Sequence, residues 1–374
     1  MIYLNNAATT LQKPPCVVRA VVQAMEHQGS CARGSHASEL SAARTVFHTR
    51  EALARLFGFS HPERVIFTAN ATQSLNAALW GFLRPGDHVI ATDWDHNSVL
   101  RPLHALARTH GVAVDFLPAD RLRYDLLESL VRPNTRLLVG THASNLTGNL
   151  LDVACMSAFA QCHGLVFLLD AAQTAGSMPI AMEDMGVHLL AFTGHKGLMG
   201  PQGTGGLCVA PGVELRPLLS GGTGVRSFEE EQPEEYPEHL EAGTLNGHGL
   251  AGLGAAADFI LETGVDAIHA HELALTERFV EGVQSMDGVT LYGDFSGDRA
   301  PVVALNLEGW DPAAAADELS VQYDIAVRPG IHCAPRMHRA LGTQDTGCLR
   351  FSFGWYTTQE DIDAALAALK EMAT

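Results

Sequence analysis

Residues 135–173 read TRLLVGTHASNLTGNLLDVACMSAFAQCHGLVFLLDAAQ. Two apolar runs, TRLLVGTHAS and LVFLLDAAQ, flank a segment that starts at an acid and stops at a glycine. Apolar residues in unbroken succession, rather than alternating with polar ones, mark strands buried on both faces. The segment between them, DVACMSAFAQCHG, carries helix start and stop signals. Strand, helix, strand is the repeating unit of an α/β domain.

The same rhythm extends outward. RVIFTA reads as a strand and TQSLNAALWGFL as the helix after it. DHVIAT is a strand, SVLRPLHALARTHG a helix ending in glycine, and AVDFLPA a further strand. The expected architecture is a mainly parallel sheet covered by helices on both faces. The strand ends at Thr68, Asp95, Ser144 and Asp170 should then gather at one edge, where such sheets bind ligands. Residues 247–286 are rich in helix signals. After them come VTLYG, PVVALNLEG, a helix PAAAADELSVQ, IAVRPG, CLRFSFGW and a last helix TQEDIDAALAALKEM. This pattern predicts a large domain over 15–260 and a smaller α+β domain made of 1–14 and 261–374. No internal repeat is present. The acidic run FEEEQPEEYPEHLE reads as a solvated, flexible surface loop.

The formal net charge of -18 argues against nucleic acid and anionic membrane as partners, because both need a basic surface. No apolar run approaches the length of a membrane span. The start MIYLNNAATT lacks the basic and apolar segments of a secretory leader, so a cytoplasmic location is expected. The seven cysteines have no C-x-x-C spacing and read as reduced thiols, with no metal expected. Among the basic residues only Lys13, Lys196 and Lys370 are lysines.

Lys196 follows an apolar strand in AFTGHKGLMGPQGTGG and is flanked by glycines. It is either a lysine at a loop edge or one placed for covalent chemistry. Asp170 ends the strand VFLLD, and a carboxylate at the end of so apolar a strand needs a partner. That partner is a helix terminus, a structural cation, or the protonated ring nitrogen of pyridoxal phosphate (PLP). Gln173 lies three residues on, within reach of the cofactor's phenolic oxygen. In FTANATQSLN the amides of Ala71 and Thr72 open a helix and suit an anion such as phosphate, as any capped helix start does. His96 in TDWDHNSV is either a structural hydrogen-bonder or a ring able to stack on a flat cofactor and move protons. Cys333 sits in IAVRPGIHCAPRMHRALG beside Arg328 and His332. A thiol there is either core filler or a reagent.

The order and spacing of these segments resemble the class V aminotransferase family of fold type I PLP enzymes. Within it the chain is similar to the cysteine desulfurases, especially the branch shared with selenocysteine lyases. The motifs that carry the likeness are DHNSV, THASNLTG, LLDAAQ, TGHKGLMGPQGTGG, EAGT, VRPGIHCAP and LRFSFGWYTT. The resemblance implies a large domain with a mainly parallel seven-stranded sheet. It implies Lys196 as the lysine that binds PLP covalently, Asp170 on the ring nitrogen, Gln173 on the phenolic oxygen and His96 over the ring. Ala71, Thr72, Thr193 and His195 would hold the phosphate, joined by Thr244 of a neighbouring subunit in a homodimer. Asn145 would touch the cofactor and, with Arg350 and Arg328, the substrate carboxylate. Arg33 and His36 would line the entrance. Cys333 would take sulfur from L-cysteine as a persulfide and pass it to an acceptor protein, with Arg328 and His332 as groups able to activate the thiol. One departure stands out: Asn70-Ala71 occupies the place where members of the family commonly carry Gly-Thr.

Three rival readings keep the fold and change the work. They are a selenocysteine lyase acting on L-selenocysteine, another class V enzyme such as an aminotransferase or carbon–sulfur lyase, and a non-catalytic persulfide carrier.

Overall fold

The computed structural model describes residues 1–31, 35–119 and 122–373. β1 (Ile2–Tyr3) opens the chain. β2 (Val65–Thr68), β3 (His88–Thr92), β4 (Ala113–Leu117), β5 (Thr135–Thr141), β6 (Val166–Asp170), β7 (Leu189–Thr193) and β8 (Gly205–Val209) form one sheet in the order β2-β8-β7-β6-β5-β3-β4. All run in one direction except β8, which is antiparallel to both β2 and β7. The expected seven-stranded, mainly parallel sheet is present.

Successive side chains of a strand face opposite ways, and the core follows that rule. Ile90, Leu138, Phe167, Leu169, Leu190 and Phe192 lie in one buried cluster with Leu53, Met156, Leu253 and Ile260. Their chain neighbours Val89, Leu137, Val139, Leu168, Leu189 and Ala191 lie in another, with Leu75, Leu79, Val99 and Leu103. The first cluster is closed by helices Ala37–Leu56, Val153–His163 and Gly247–Thr263, the second by Ala71–Phe82 and Asn97–His110. Both faces are dry, so the ligand-accessible edge is where the parallel strands end.

β9 (Val289–Tyr292), β10 (Val302–Leu307), β12 (Arg328–Gly330) and β13 (Cys348–Ser352) form a second sheet in the order β12-β13-β10-β9. Helix Val265–Gln284 and the last helix, Gln359–Met372, pack on each other beside it. The segment IAVRPG, expected as one strand, divides at Val327. β11 (Ile325–Ala326) pairs with β1, and β12 pairs with β13. No helix among the described residues is long and apolar enough to cross a membrane.

The acidic run is tied down more than its charge suggests. Arg226 pairs with Glu229 and Glu235. Gln232 bridges the Gly221 amide and the Glu238 carbonyl. The run ends at Glu241, whose carboxylate is buried against Arg50 in a two-pronged pair at 2.8 and 2.6 Å. It also accepts the Phe67 amide at 2.6 Å. Arg50 packs over the Phe67 ring. Removing one partner of a buried pair leaves the other uncompensated. Arg50→Met should therefore lower stability by about 3–5 kcal/mol, read as a drop in the denaturation midpoint. A loss below about 1 kcal/mol would show that Glu241 finds another partner.

Candidate active site

The strand ends converge as the sheet requires. Residues following β2, β3, β5, β6 and β7 line one cavity: Ala71 and Thr72, His96 and Ser98, Asn145, Asp170 and Gln173, and His195 and Lys196. Lys196 is held tightly from behind. A Cβ on Gly197 would lie 2.8 Å from the Ala175 carbonyl oxygen, so only glycine lets the lysine loop sit against the turn after Asp170. Burial lowers the Lys196 ammonium to about 8, with Asp170 opposing that fall and Arg350 and Arg328 adding to it. Asp170 is 3% exposed, and one carboxylate oxygen accepts the Ala172 amide at 2.9 Å. Burial raises its carboxyl, and Lys196 restrains the rise. A second buried acid lies behind it. Burial pushes Asp95 up to about 8 against the Thr92 amide that holds it, and the charge of Asp170 adds to the rise.

His96 is the N-cap of helix Asn97–His110. Its Nδ1 accepts the Ser98 amide at 3.0 Å, which leaves the proton on Nε2. Burial lowers it to about 4, with Lys196, Arg328, Arg350 and Arg101 contributing. The ring is therefore neutral and fixed, with one nitrogen spent on the helix.

At one end of the cavity lies the start of helix Ala71–Phe82. Asn70 spends its side chain capping the Gln73 amide at 3.0 Å, so the unusual Asn-Ala pair supplies a cap. Thr72 Oγ1 meets Ser98 Oγ at 2.7 Å. Thr193 Oγ1 and His195 Nδ1 are buried with no partner among the described residues. Unpaired buried polar atoms beside free helix-start amides are the signature of an anion site. A planar cofactor with a basic ring nitrogen and a phosphate fits this donor set, with Asp170 at the first and this end at the second. Lys13 also serves this region. Its Nζ reaches the His195 carbonyl at 3.2 Å, and burial lowers it to about 8.

Beyond Asn145, outside the lining of the cavity itself, the surroundings are cationic. Arg328 and Arg350 face each other across β12 and β13. Neither has an ion-pair partner among the described residues, and Arg350 is 1% exposed with its Nε unpaired. Burial lowers Arg350 to about 9, with Arg328 adding to the fall. Like charges placed opposite each other destabilise a sheet. The pair makes sense as one half of a site whose other half is a carboxylate. Asn145 borders this region, its carbonyl accepting Arg350 Nη1 at 2.9 Å.

Cys333 is half-buried at the mouth of a groove it shares with Thr72, His96 and Ser98, which also line the Lys196 cavity. His332 and Cys333 have φ of +53° and +58°. Two consecutive side-chain-bearing residues in the left-handed region cost on the order of 1–2 kcal/mol each. His332 points inward and is 3% exposed. Its Nε2 donates to the Arg328 carbonyl at 3.0 Å, and its ring stacks on His338. Burial lowers it to about 3, with Arg350 as the next cause, so His332 is a loop anchor and a poor base for the thiol.

Thr244, expected at a neighbouring subunit's phosphate site, and His36, expected at the entrance, both lie away from this chain's own cavity. Thr244 is exposed and lines a different pocket with Arg50 and Glu241. His36 caps the start of helix Ala37–Leu56 at the surface and does not line the Lys196 cavity. Arg33 lies outside the described residues. Reading the sequence missed Asp95 as a buried acid, Ser98 as a partner of both His96 and Thr72, and the Arg50–Glu241 anchor. The only sequence signal for the anchor was an acid three residues before Thr244.

A model of the family Aminotransferase class-V matches residues 2–365. A probable cysteine desulfurase of Methanothermobacter thermautotrophicus is 35% identical, the match covering 100% of this chain and 94% of that relative. A cysteine desulfurase of Pectobacterium atrosepticum is 32% identical over 100% of this chain and 93% of its own length. The apo structure of a cysteine desulfurase from Thermococcus onnurineus superposes with a TM-score of 0.94 at 31% identity, covering 100% of this chain and 94% of that one. The cysteine desulfurase CsdA (S-sulfonic acid) of Escherichia coli superposes with a TM-score of 0.90 at 29% identity, covering 99% and 94%.

Proposed function

The chain belongs to the class V aminotransferase family, and from that premise we propose that it is a PLP-dependent cysteine desulfurase. It converts L-cysteine to L-alanine and leaves a persulfide on Cys333 for transfer to an acceptor. The observation that carries the reading is that Cys333 and Lys196 open onto spaces bounded by the same three side chains, Thr72, His96 and Ser98. An amine-handling lysine with a thiol at its doorway suits removal of a substrate's sulfur more than transfer of its nitrogen.

Bound PLP supplies an electron sink for charge developing at the substrate α-carbon. The chain's own residues do the rest. Lys196 Nζ, partly stripped of its proton by burial, holds the cofactor covalently and carries a proton once displaced. Asp170 holds the ring nitrogen in its charged form. His96, neutral and fixed by Ser98, would cover the cofactor ring and shield it from water. The amides of Ala71 and Thr72 with Thr193 and His195 would bind the phosphate, and Gln173 would contact the cofactor's phenolic oxygen. Arg350 and Arg328 grip the substrate carboxylate. Cys333 Sγ, as thiolate, attacks the substrate sulfur. A sulfur–sulfur bond forms and the carbon–sulfur bond breaks. The electron pair stays with carbon, which gains a proton to give alanine.

The test is to incubate purified protein with L-cysteine and assay alanine and sulfide in the presence of a thiol. Stoichiometric alanine without any keto acid is expected. A requirement for a keto acid, or release of an amine or pyruvate in place of alanine, would replace this reading with another class V activity.

The working unit is a homodimer. Val18, Val22 and Met25 on helix Pro15–His27, with Leu40 and Phe47 on the next helix, are exposed apolar side chains. Thr244 is held out into solvent on a loop anchored by Glu241. A two-fold pairing that buries the apolar helices and brings Thr244 to the partner's phosphate end accounts for both. Sedimentation should give twice the chain mass, and Thr244→Ala should weaken PLP binding. A stable, active monomer would remove the shared site. All seven cysteines are free, in keeping with a reducing compartment such as the cytoplasm.

A further inference from the structure

Asn145 lines the Lys196 cavity and ties Arg350 to the loop that carries Cys333. Its side-chain amide donates to the His332 carbonyl at 2.7 Å. An amide nitrogen carries two N–H groups, and this bond uses one. Its Oδ1 is buried with no partner. A donor and an acceptor are thus left for a ligand in the cavity that Asn145 lines.

The other side of the loop is held as well. The Asn97 amide donates to the Cys333 carbonyl at 2.9 Å. Asn97 is the first residue of its helix, where an N–H has no partner inside the helix. His96 caps the next amide, on Ser98. The loop therefore completes the cap of the helix that presents His96. Between these two hydrogen bonds lie the left-handed φ values of His332 and Cys333. A chain free to choose would leave that region.

We propose that Asn145 is a positioning residue for the nucleophile. One N–H, through the His332 carbonyl, holds the two residues in their left-handed conformation and aims the Cys333 thiol. The other N–H is available to the substrate carboxylate beside Arg350. The group that registers the substrate is then the group that fixes the direction of sulfur attack. The aiming role rests on the reading of Cys333 as nucleophile, whereas the clamp itself can be measured without turnover.

Hydrogen exchange of the holoenzyme without amino acid tests the clamp. In Asn145→Asp and Asn145→Ala the Asn97 amide should exchange roughly tenfold faster, the scale of one lost hydrogen bond. At saturating cysteine, single-turnover addition of sulfur to Cys333 should slow by about tenfold or more, beyond any rise in KM. His332→Gly provides the control, because glycine enters the left-handed region without strain. In that background Asn145→Ala should change Asn97 exchange by less than about a third as much. Unchanged Asn97 exchange, an effect confined to KM, or effects that simply multiply in the double variant would overturn the proposal. A wild type that makes no alanine from cysteine would instead sink the desulfurase reading, and the exchange measurements would still decide the clamp.

Discussion

Lys196→Ala should abolish alanine formation from cysteine, with an expected loss on the order of a thousandfold or more. Two effects combine. On the proposed roles, the variant lacks both the amine that would hold the cofactor and the base that would carry the proton. The loss also leaves Asp170, buried beside Asp95, without the one cation that restrains its rise. PLP should still enter, because Thr72, Thr193 and His195 are untouched, but it should be bound without a covalent link. The wild type should be yellow, with an absorption band that borohydride removes, and the adduct should map to Lys196. Lys13 is the instructive competitor, since burial has also brought it to about 8. Its nitrogen is already engaged by Thr10 and the His195 carbonyl, and it does not line the cavity. An adduct on Lys13 would overturn the assignment.

Cys333→Ala should separate sulfur from selenium. A selenol is more acidic than a thiol and its bond to carbon is weaker, so selenium leaves with less nucleophilic help. Sulfur needs the thiolate to accept it. Cysteine desulfuration should fall by on the order of a hundredfold or more, while selenocysteine breakdown should change by less than about tenfold. PLP content should stay the same. A brief pulse of cysteine should add one sulfur to the wild-type peptide that contains Cys333. Cys348 serves as the internal control: it is fully buried, and burial raises its thiol to about 11. Added sulfur on Cys348 alone, or undiminished alanine formation in the variant, would remove Cys333 from the reaction.

The large sheet was legible because its signals are local. A strand buried on both faces writes itself as an unbroken apolar run, and the runs of β2, β3 and β5 are each followed by a capped helix. The lysine, the aspartate and the cysteine were legible for a related reason, since each interrupts its surroundings with a group that needs a partner. What stayed hidden depends on pairs far apart in the chain. IAVRPG looks like one strand, and nothing within it says that Ile325 pairs with Ile2 while Arg328 pairs with Arg350. Arg50 and Glu241 are separated by 191 positions and read singly as surface charges. Nothing near Lys13 in the sequence says that the fold lays the N-terminal segment against His195. His332 looked like a base beside the thiol. Only its burial and its bond to the Arg328 carbonyl show that it serves the backbone.

If the facing guanidiniums of Arg328 and Arg350 hold the substrate carboxylate as proposed, they also set the terms of selectivity. A like-charged pair without a counterion is relieved by any carboxylate that reaches it, and the product alanine carries the same carboxylate as the substrate. Grip at this end therefore cannot distinguish cysteine from alanine or serine. These amino acids should occupy the site as competitive inhibitors and raise the protein's melting temperature with the logarithm of their concentration above Kd. Discrimination falls to the far end of the substrate, where only a side chain with a sulfur or selenium atom within reach of Cys333 has anything to donate. The enzyme would then be lax in what it admits and strict in what it converts, and the amino-acid pool around it would act as a brake on its rate.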